Sequence, residues 1–169
     1  MCMFNALFII DCWDDEWIRS FGAKGMRQFY GRMLDFLDQY EYEHVYLCTD
    51  KDHSVHPWIR SYWPKKRTTI ALEHSDINLK RFKTTPRMAM CAGTSWPYCV
   101  HNSLFGLIHQ MKWGFRVHSA PEVVRGPARG DDPITHRHFM TDHQIAWQSV
   151  DTLGVWRATS IKSFTPQLV

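Results

Sequence analysis

Several things are scarce in this chain, and each scarcity narrows what it can be. Its 169 residues carry 20 Lys and Arg against 17 Asp and Glu, a formal charge of only +3. Nucleic-acid binding would call for a clustered basic patch. The nearest approach is Lys65-Lys66-Arg67, three charges ahead of a strand that read as a solvated edge. No apolar run nears the ~20 residues of a membrane span. The first apolar run has no basic stretch before it, and Asp11 interrupts it too early for a secretory signal. The five cysteines are an odd number without metal-ribbon spacing, and Cys12, Cys48 and Cys91 lie in or beside apolar runs. That pattern suits reduced thiols in an interior rather than a disulfide framework. Internal repeats and low-complexity segments are also missing. The expectation is a soluble, cytoplasmic protein with no nucleic-acid or membrane partner, built as one domain over residues 1–169.

What is present is an alternation of strand and helix signals. Ala6-Leu7-Phe8-Ile9-Ile10 is a continuous apolar run, as expected of a strand covered on both faces. From about Lys24 to Tyr40, Met26, Phe29, Tyr30, Met33, Leu34 and Leu37 recur at helical steps. His44 to Thr49 reads as a second strand and Thr68 to Leu72 as a third, the latter supported by its β-branched residues. Ser75-Asp76 caps a short helix running to about Lys83, and Met88 to Ala92 is a fourth strand. One long helix is expected from Cys99 to Trp113, stopped by Gly114, followed by a strand over Phe115 to His118. Pro121 to Pro133 reads as a loop and Ile134 to Leu153 as holding a last helix ended by Gly154. His136, His138 and His143 on or near that helix read as surface residues. Val155 to Ser160 is the sixth strand. The predicted fold class is α/β: a three-layer α/β/α sandwich around a mostly parallel six-stranded sheet.

Chemistry points to the stretch from Met88 to Val100. An apolar run ends in Ala92-Gly93, a tight connection carries Pro97, and Cys99 opens a helix. A cysteine there meets unpaired backbone N–H groups and the positive end of a helix dipole, which favour thiolate. Asp11 closes the first strand, at the sheet edge where open α/β folds bind ligands.

These residues resemble the isochorismatase-like cysteine hydrolases. Ala6 to Asp15 is similar to that family's opening strand and acidic turn, and Ala92-Gly93-Thr94-Ser95-Trp96-Pro97-Tyr98-Cys99-Val100 to its nucleophile turn. Ser103 matches a small hydroxyl position, and Leu153-Gly154-Val155 with Thr159-Ser160 is similar to the last strand. The resemblance implies strand order 3-2-1-4-5-6 and a Cys–Asp–Lys triad. Cys99 would be the nucleophile and Asp11 its base. The backbone N–H groups of Ser95 and Cys99 would form the oxyanion hole, after a cis peptide at Thr94-Ser95. It further implies a small-molecule substrate cleaved at an amide or other C–N bond, and assembly as a homo-oligomer. Trp13, Trp96 and Tyr98 would line the substrate pocket. The sequence departs at the lysine: the end of the third strand reads Leu72-Glu73-His74, and Lys80 falls on the crossover to the fourth.

No cofactor is required by this chemistry. A divalent metal enters through Asp50, Asp52, His53, His56 and His74, after the second and third strands, where nicotinamidase-like members carry an Asp/His site. Imidazole and carboxylate suit zinc, iron or manganese; the alternative is a set of exposed loop histidines. Two other functions compete with the hydrolase. One is a degenerate scaffold for binding or assembly, suggested by Glu73-His74 and the tryptophan-rich loops around Trp58 and Trp63. The other is a nucleotide binder, which would need a glycine-rich turn after the first strand; Asp11 to Trp17 contains no glycine.

Overall fold

The apolar run near the N-terminus is fully covered: Phe4, Ala6, Leu7, Phe8, Ile9 and Ile10 are each at most 1 % exposed. A computed structural model describes residues 3–13, 16–63, 65–83, 86–126, 134–141 and 144–161. In chain order its elements are β1 (Met3–Ile10), α1 (Glu16–Leu37, broken at Gly22), β2 (Glu41–Cys48), α2 (Pro57–Tyr62), β3 (Thr68–Ala71) and β4 (Arg87–Thr94). There follow α3 (Tyr98–Asn102), α4 (Leu107–Lys112), β5 (Phe115–Ser119), β6 (Val124–Arg125), α5 (His136–Thr141), β7 (Ile145–Val150) and β8 (Val155–Ile161).

The strands form one sheet in the order β3-β2-β1-β4-β5-β8-β7, with β6 paired to β4 beyond the end of β5. From β3 to β5 every pairing is parallel; β8 joins β5 antiparallel, and β7 and β8 form an antiparallel hairpin. The expected order 3-2-1-4-5 is therefore present, and the sixth predicted strand does lie beside the fifth. Two strands, β6 and β7, are added, and β8 alone runs against the parallel strands, since β7, antiparallel to β8, shares their direction. From the β1/β4 boundary the chain winds outward both ways, to β2 through α1 and to β5 through α3 and α4. Right-handed crossovers then put those helices on opposite faces, which gives the three layers. Cys91 on β4 faces α3 and α4, with its sulfur 3.2 Å from Gln110 Nε2. Each large side chain buried between layers contributes about 1.5–3 kcal/mol. No helix among the described residues is long and apolar enough to cross a membrane.

Three expected helices differ from the structure for identifiable reasons, and the loop expected from Pro121 opens with a 3-10 turn, Pro121–Val123, and β6. The helix expected over Ile134 to Leu153 is only His136–Thr141, and Ile145–Val150 is a strand. Gly154 (φ 64) is the left-handed residue of the β7–β8 hairpin turn, where the Gly154 N–H donates to Asp151 O, not a helix stop. A glycine required for positive φ looks the same in sequence in either setting. The helix expected from Cys99 to Trp113 is broken between Asn102 and Leu107. Side chains from α4 take the carbonyls a continuous helix would use: Gln110 Nε2 donates to Phe105 O at 2.7 Å, and His109 Nδ1 lies 2.9 Å from Ser103 O. The expected helix from Ser75 to Lys83 is two short 3-10 turns, His74–Asp76 and Leu79–Arg81.

Gln110 is completely buried, so water cannot replace its bond to Phe105 O. Gln110→Leu keeps the volume but leaves the Phe105 carbonyl without its donor. The expected cost is about 1–2 kcal/mol by urea unfolding, with faster amide exchange over 103–106.

Candidate active site

The sheet reverses winding direction between β1 and β4, and the crevice outside the carboxyl ends of two such strands is where open α/β sheets hold ligands. Asp11 follows β1 and Cys99 lies in the segment after β4, so both reach this point. Register fixes the approach, since Ile10 pairs with Gly93. Asp11 itself takes φ 55, a conformation Asp tolerates better than most residues. It is pinned there: its N–H donates to Cys48 O at 3.0 Å, and its carbonyl accepts from Trp13 N–H at 3.0 Å and from Thr94 Oγ1. Ser95 is also left-handed, at φ 65, and the next N–H, of Trp96, donates to Arg125 O at 2.9 Å. Two adjoining non-glycine residues at positive φ mark a turn held in place by its surroundings.

The Asp11 carboxylate and the Cys99 thiol meet here, near enough for each to shift the other's proton affinity, and the Ser95 hydroxyl acts on Cys99 as well. Asp11 is 7 % exposed. Burial pushes its carboxyl up to about 6, against the pull of the Cys99 thiol; the Asp50 charge raises it further and His53 lowers it. Cys99 is pushed up to about 11, first by burial and then by the Asp11 carboxylate and its charge, with the Ser95 hydroxyl opposing. This corrects the sequence expectation of a thiolate favoured by a helix start. A five-residue helix has little dipole to offer, and the sulfur faces a carboxylate instead. At neutral pH the proton sits on sulfur and Asp11 accepts it.

The pair opens into a pocket of about 250 Å³ lined by Asp11, Trp13, Thr49, Asp50, Leu72, Cys99, Ser103, Leu104 and Phe105. Of the three predicted aromatic walls only Trp13 belongs to it. Trp96 is 2 % exposed and stacks on Phe139 at 4.8 Å, inside the core. Tyr98, at the start of α3, is 59 % exposed and turned to solvent. The walls not foreseen are Thr49 and Leu72, which directly follow β2 and β3, and Leu104-Phe105 from the break before α4. Gly106 was the available signal for that break, because a Cβ there would stand 2.5 Å from His101 O. Ser103 Oγ is buried at the pocket wall with no partner among the described residues.

Of the residues named for a metal, only Asp50 and His53 come together, Oδ1 to Nδ1 at 2.7 Å. His53 stacks on Trp13 at 3.8 Å with an interplanar angle of 9°. His56 instead begins α2, accepting the Trp58 N–H at 3.2 Å; His74 bonds Leu104 O; Asp52 gives its backbone N–H to Asp50 at 2.9 Å. Among the described residues no group of three His, Cys, Asp or Glu is placed to hold a metal ion. The cis peptide lies at Trp96-Pro97, not at Thr94-Ser95. Nor does a lysine or arginine line the pocket among the described residues. Glu73 pairs outward with Lys51 at 3.0 Å, and Lys80 lies exposed on the turn Leu79–Arg81. His136 and His138 lie on α5, largely and partly exposed, and His143 falls outside the described residues. Comparison with protein-family models, with curated proteins and with solved structures finds no match for this chain.

Proposed function

We propose that this protein is a small-molecule hydrolase of the isochorismatase-like type, in which Cys99 attacks an amide or related C–N carbon with Asp11 as general base. One observation carries the reading: a buried carboxylate and a thiol line the same pocket of ligand size, near enough to shift each other's proton affinity. A nucleophile needs a base in contact, and a carboxyl held near neutrality takes and returns a proton more readily than an exposed one. As sulfur bonds to the carbonyl carbon, its proton passes to Asp11. The tetrahedral oxyanion is received by the backbone N–H groups of Ser95 and Cys99. Collapse breaks the C–N bond, Asp11 returns the proton to the departing nitrogen, and a thioester remains on Cys99. Water, deprotonated by Asp11, then releases the acid and the free thiol.

A degenerate scaffold is the competing reading, and it draws on the absence of a pocket lysine among the described residues and on the high position of the Cys99 thiol. The two are separated by measurements that move in opposite directions. Asp11→Asn removes a negative charge from beside the sulfur, so iodoacetamide should alkylate Cys99 faster at pH 9 than in the native protein. The same variant should lower Cys99-dependent ammonia release from a panel of small primary amides and carbamoyl compounds by about 10²–10⁴-fold. Faster alkylation with no Cys99-dependent release by the native protein would leave only the scaffold.

A further inference from the structure

The pocket has a sign. Asp11 stands at its head and Asp50 at its rim, and the field of Asp50 reaches both Asp11 and Cys99. Among the described residues the basic side chain turned toward them is the His53 imidazole, already engaged by Asp50 at 2.7 Å and flattened against the Trp13 ring. The remaining walls are apolar (Leu72, Leu104, Phe105 and the Trp13 ring) or neutral hydroxyls, Thr49 and Ser103. Apolar walls lower the local dielectric and so lengthen the reach of the two carboxylates. A cavity of about 150 Å³ holds benzene, so one of about 250 Å³ takes a molecule of roughly ten non-hydrogen atoms. In that space any charged group of the ligand lies within a few ångströms of Asp50.

We infer that the pocket selects small molecules bearing a positive group, a protonated amine or an amidinium, over those bearing a carboxylate, and that Asp50 sets this preference. The inference deepens the hydrolase reading by naming its substrate class: amides or carbamoyl compounds with a cationic end. The reacting carbon meets Cys99, and the cation is held near the Asp50 carboxylate. The buried Ser103 hydroxyl, with no protein partner among the described residues, is available to the polar centre between them. A carboxylate-bearing substrate would meet two like charges instead, and among the described residues the pocket lining offers it no lysine or arginine.

The test does not depend on turnover. Cys99 is modified with two methanethiosulfonates of similar size, one ending in trimethylammonium and one in sulfonate. Each reaction forms the mixed disulfide and expels methanesulfinate. A Cys2→Ser background is used, Cys12, Cys48 and Cys91 being buried, and mass spectrometry identifies the labelled residue. With rates divided by those of 2-mercaptoethanol, the cationic reagent should be preferred about tenfold or more at low ionic strength, and less as salt screens the field. Asp50→Asn should cut the preference severalfold and Asp50→Lys should reverse it. Asp50 is half exposed, so both variants should keep the native melting profile. Equal normalised rates in the native protein, or a preference that Asp50→Lys leaves in place, overturn the inference whatever the amide assay returns. A cation preference without hydrolysis of any amide overturns the hydrolase reading alone and leaves a pocket that binds cations.

Discussion

Gly93→Ala should remove about 4 kcal/mol or more of stability, at the upper end of what single substitutions cost. Gly93 pairs with Ile10 across the β1/β4 junction at φ 139. A Cβ built there stands 2.0 Å from the Ile10 carbonyl oxygen and 2.8 Å from its carbon and nitrogen, all backbone atoms that no rotamer change can move. The strands must part, and they carry Asp11 on one side and the Cys99 turn on the other. Gly154→Ala is the control: its φ is also positive, at 64, but the nearest atom is the Tyr40 hydroxyl at 4.0 Å. It should cost only about 1–2 kcal/mol, the ordinary penalty for a left-handed non-glycine residue. Urea unfolding of the two variants checks the contrast; similar losses would mean that strand spacing at Gly93 is not what confines the site.

Acidification supplies the second large effect. His44 and His118 are each held at about 4, against 6.5 for a free imidazole. Burial is the first cause for both. Arg81 adds to it at His44, its Nη1 lying 2.8 Å from Nδ1, and Arg157 and Arg116 add to it at His118. Between those pH values the unfolded chain binds more protons than the native one. Their contribution is therefore whole above pH 6.5 and drains away as the pH falls to about 4. At about 1.4 kcal/mol per tenfold change in proton concentration, each histidine withdraws roughly 3 kcal/mol.

Asp11 works the other way. With its carboxyl raised from 3.8 to about 6, the native state binds the extra proton in that window, and roughly 3 kcal/mol is recovered on acidification. The native protein should lose about 3–4 kcal/mol between pH 7 and 4, and Asp11→Asn about 6–7. The variant should also be the more stable of the two at pH 7 and lose that advantage by pH 4. Asn suits the left-handed φ at this position as Asp does, so the backbone is not the cause. Urea midpoints at several pH values decide it; parallel curves for the two proteins would show that Asp11 is not the buried, near-neutral carboxyl described here.

Much of the architecture was legible because it depends on local pattern. The unbroken run Ala6–Ile10 announced a strand covered on both faces, and the three- and four-residue spacing from Met26 to Leu37 announced the helix beside it. Asp11 and Cys99 could be placed at one sheet edge because each follows a strand, and parallel strands present their carboxyl ends together. The misread segments are those where two structures use the same residues. Ile145–Val150 offers an apolar pattern short enough for either element, and Gly154 serves a hairpin turn as readily as a helix end. The break at Ser103–Gly106 was hidden because the apolar periodicity continues through it, while the cause is a buried glutamine bonding Phe105 O.

From the sequence alone came the α/β class and the placing of Asp11 and Cys99 at one edge of the sheet. Those follow from periodicity and from the end of each strand, which are properties of neighbouring residues. Tertiary structure decided that the proton rests on the Cys99 sulfur, that Trp96 belongs to the core and Leu104 to the pocket, and that Asp50 rather than a lysine stands at the rim. Protonation, burial and field depend on groups far apart in the chain. Only folding sets the distance and the dielectric between them.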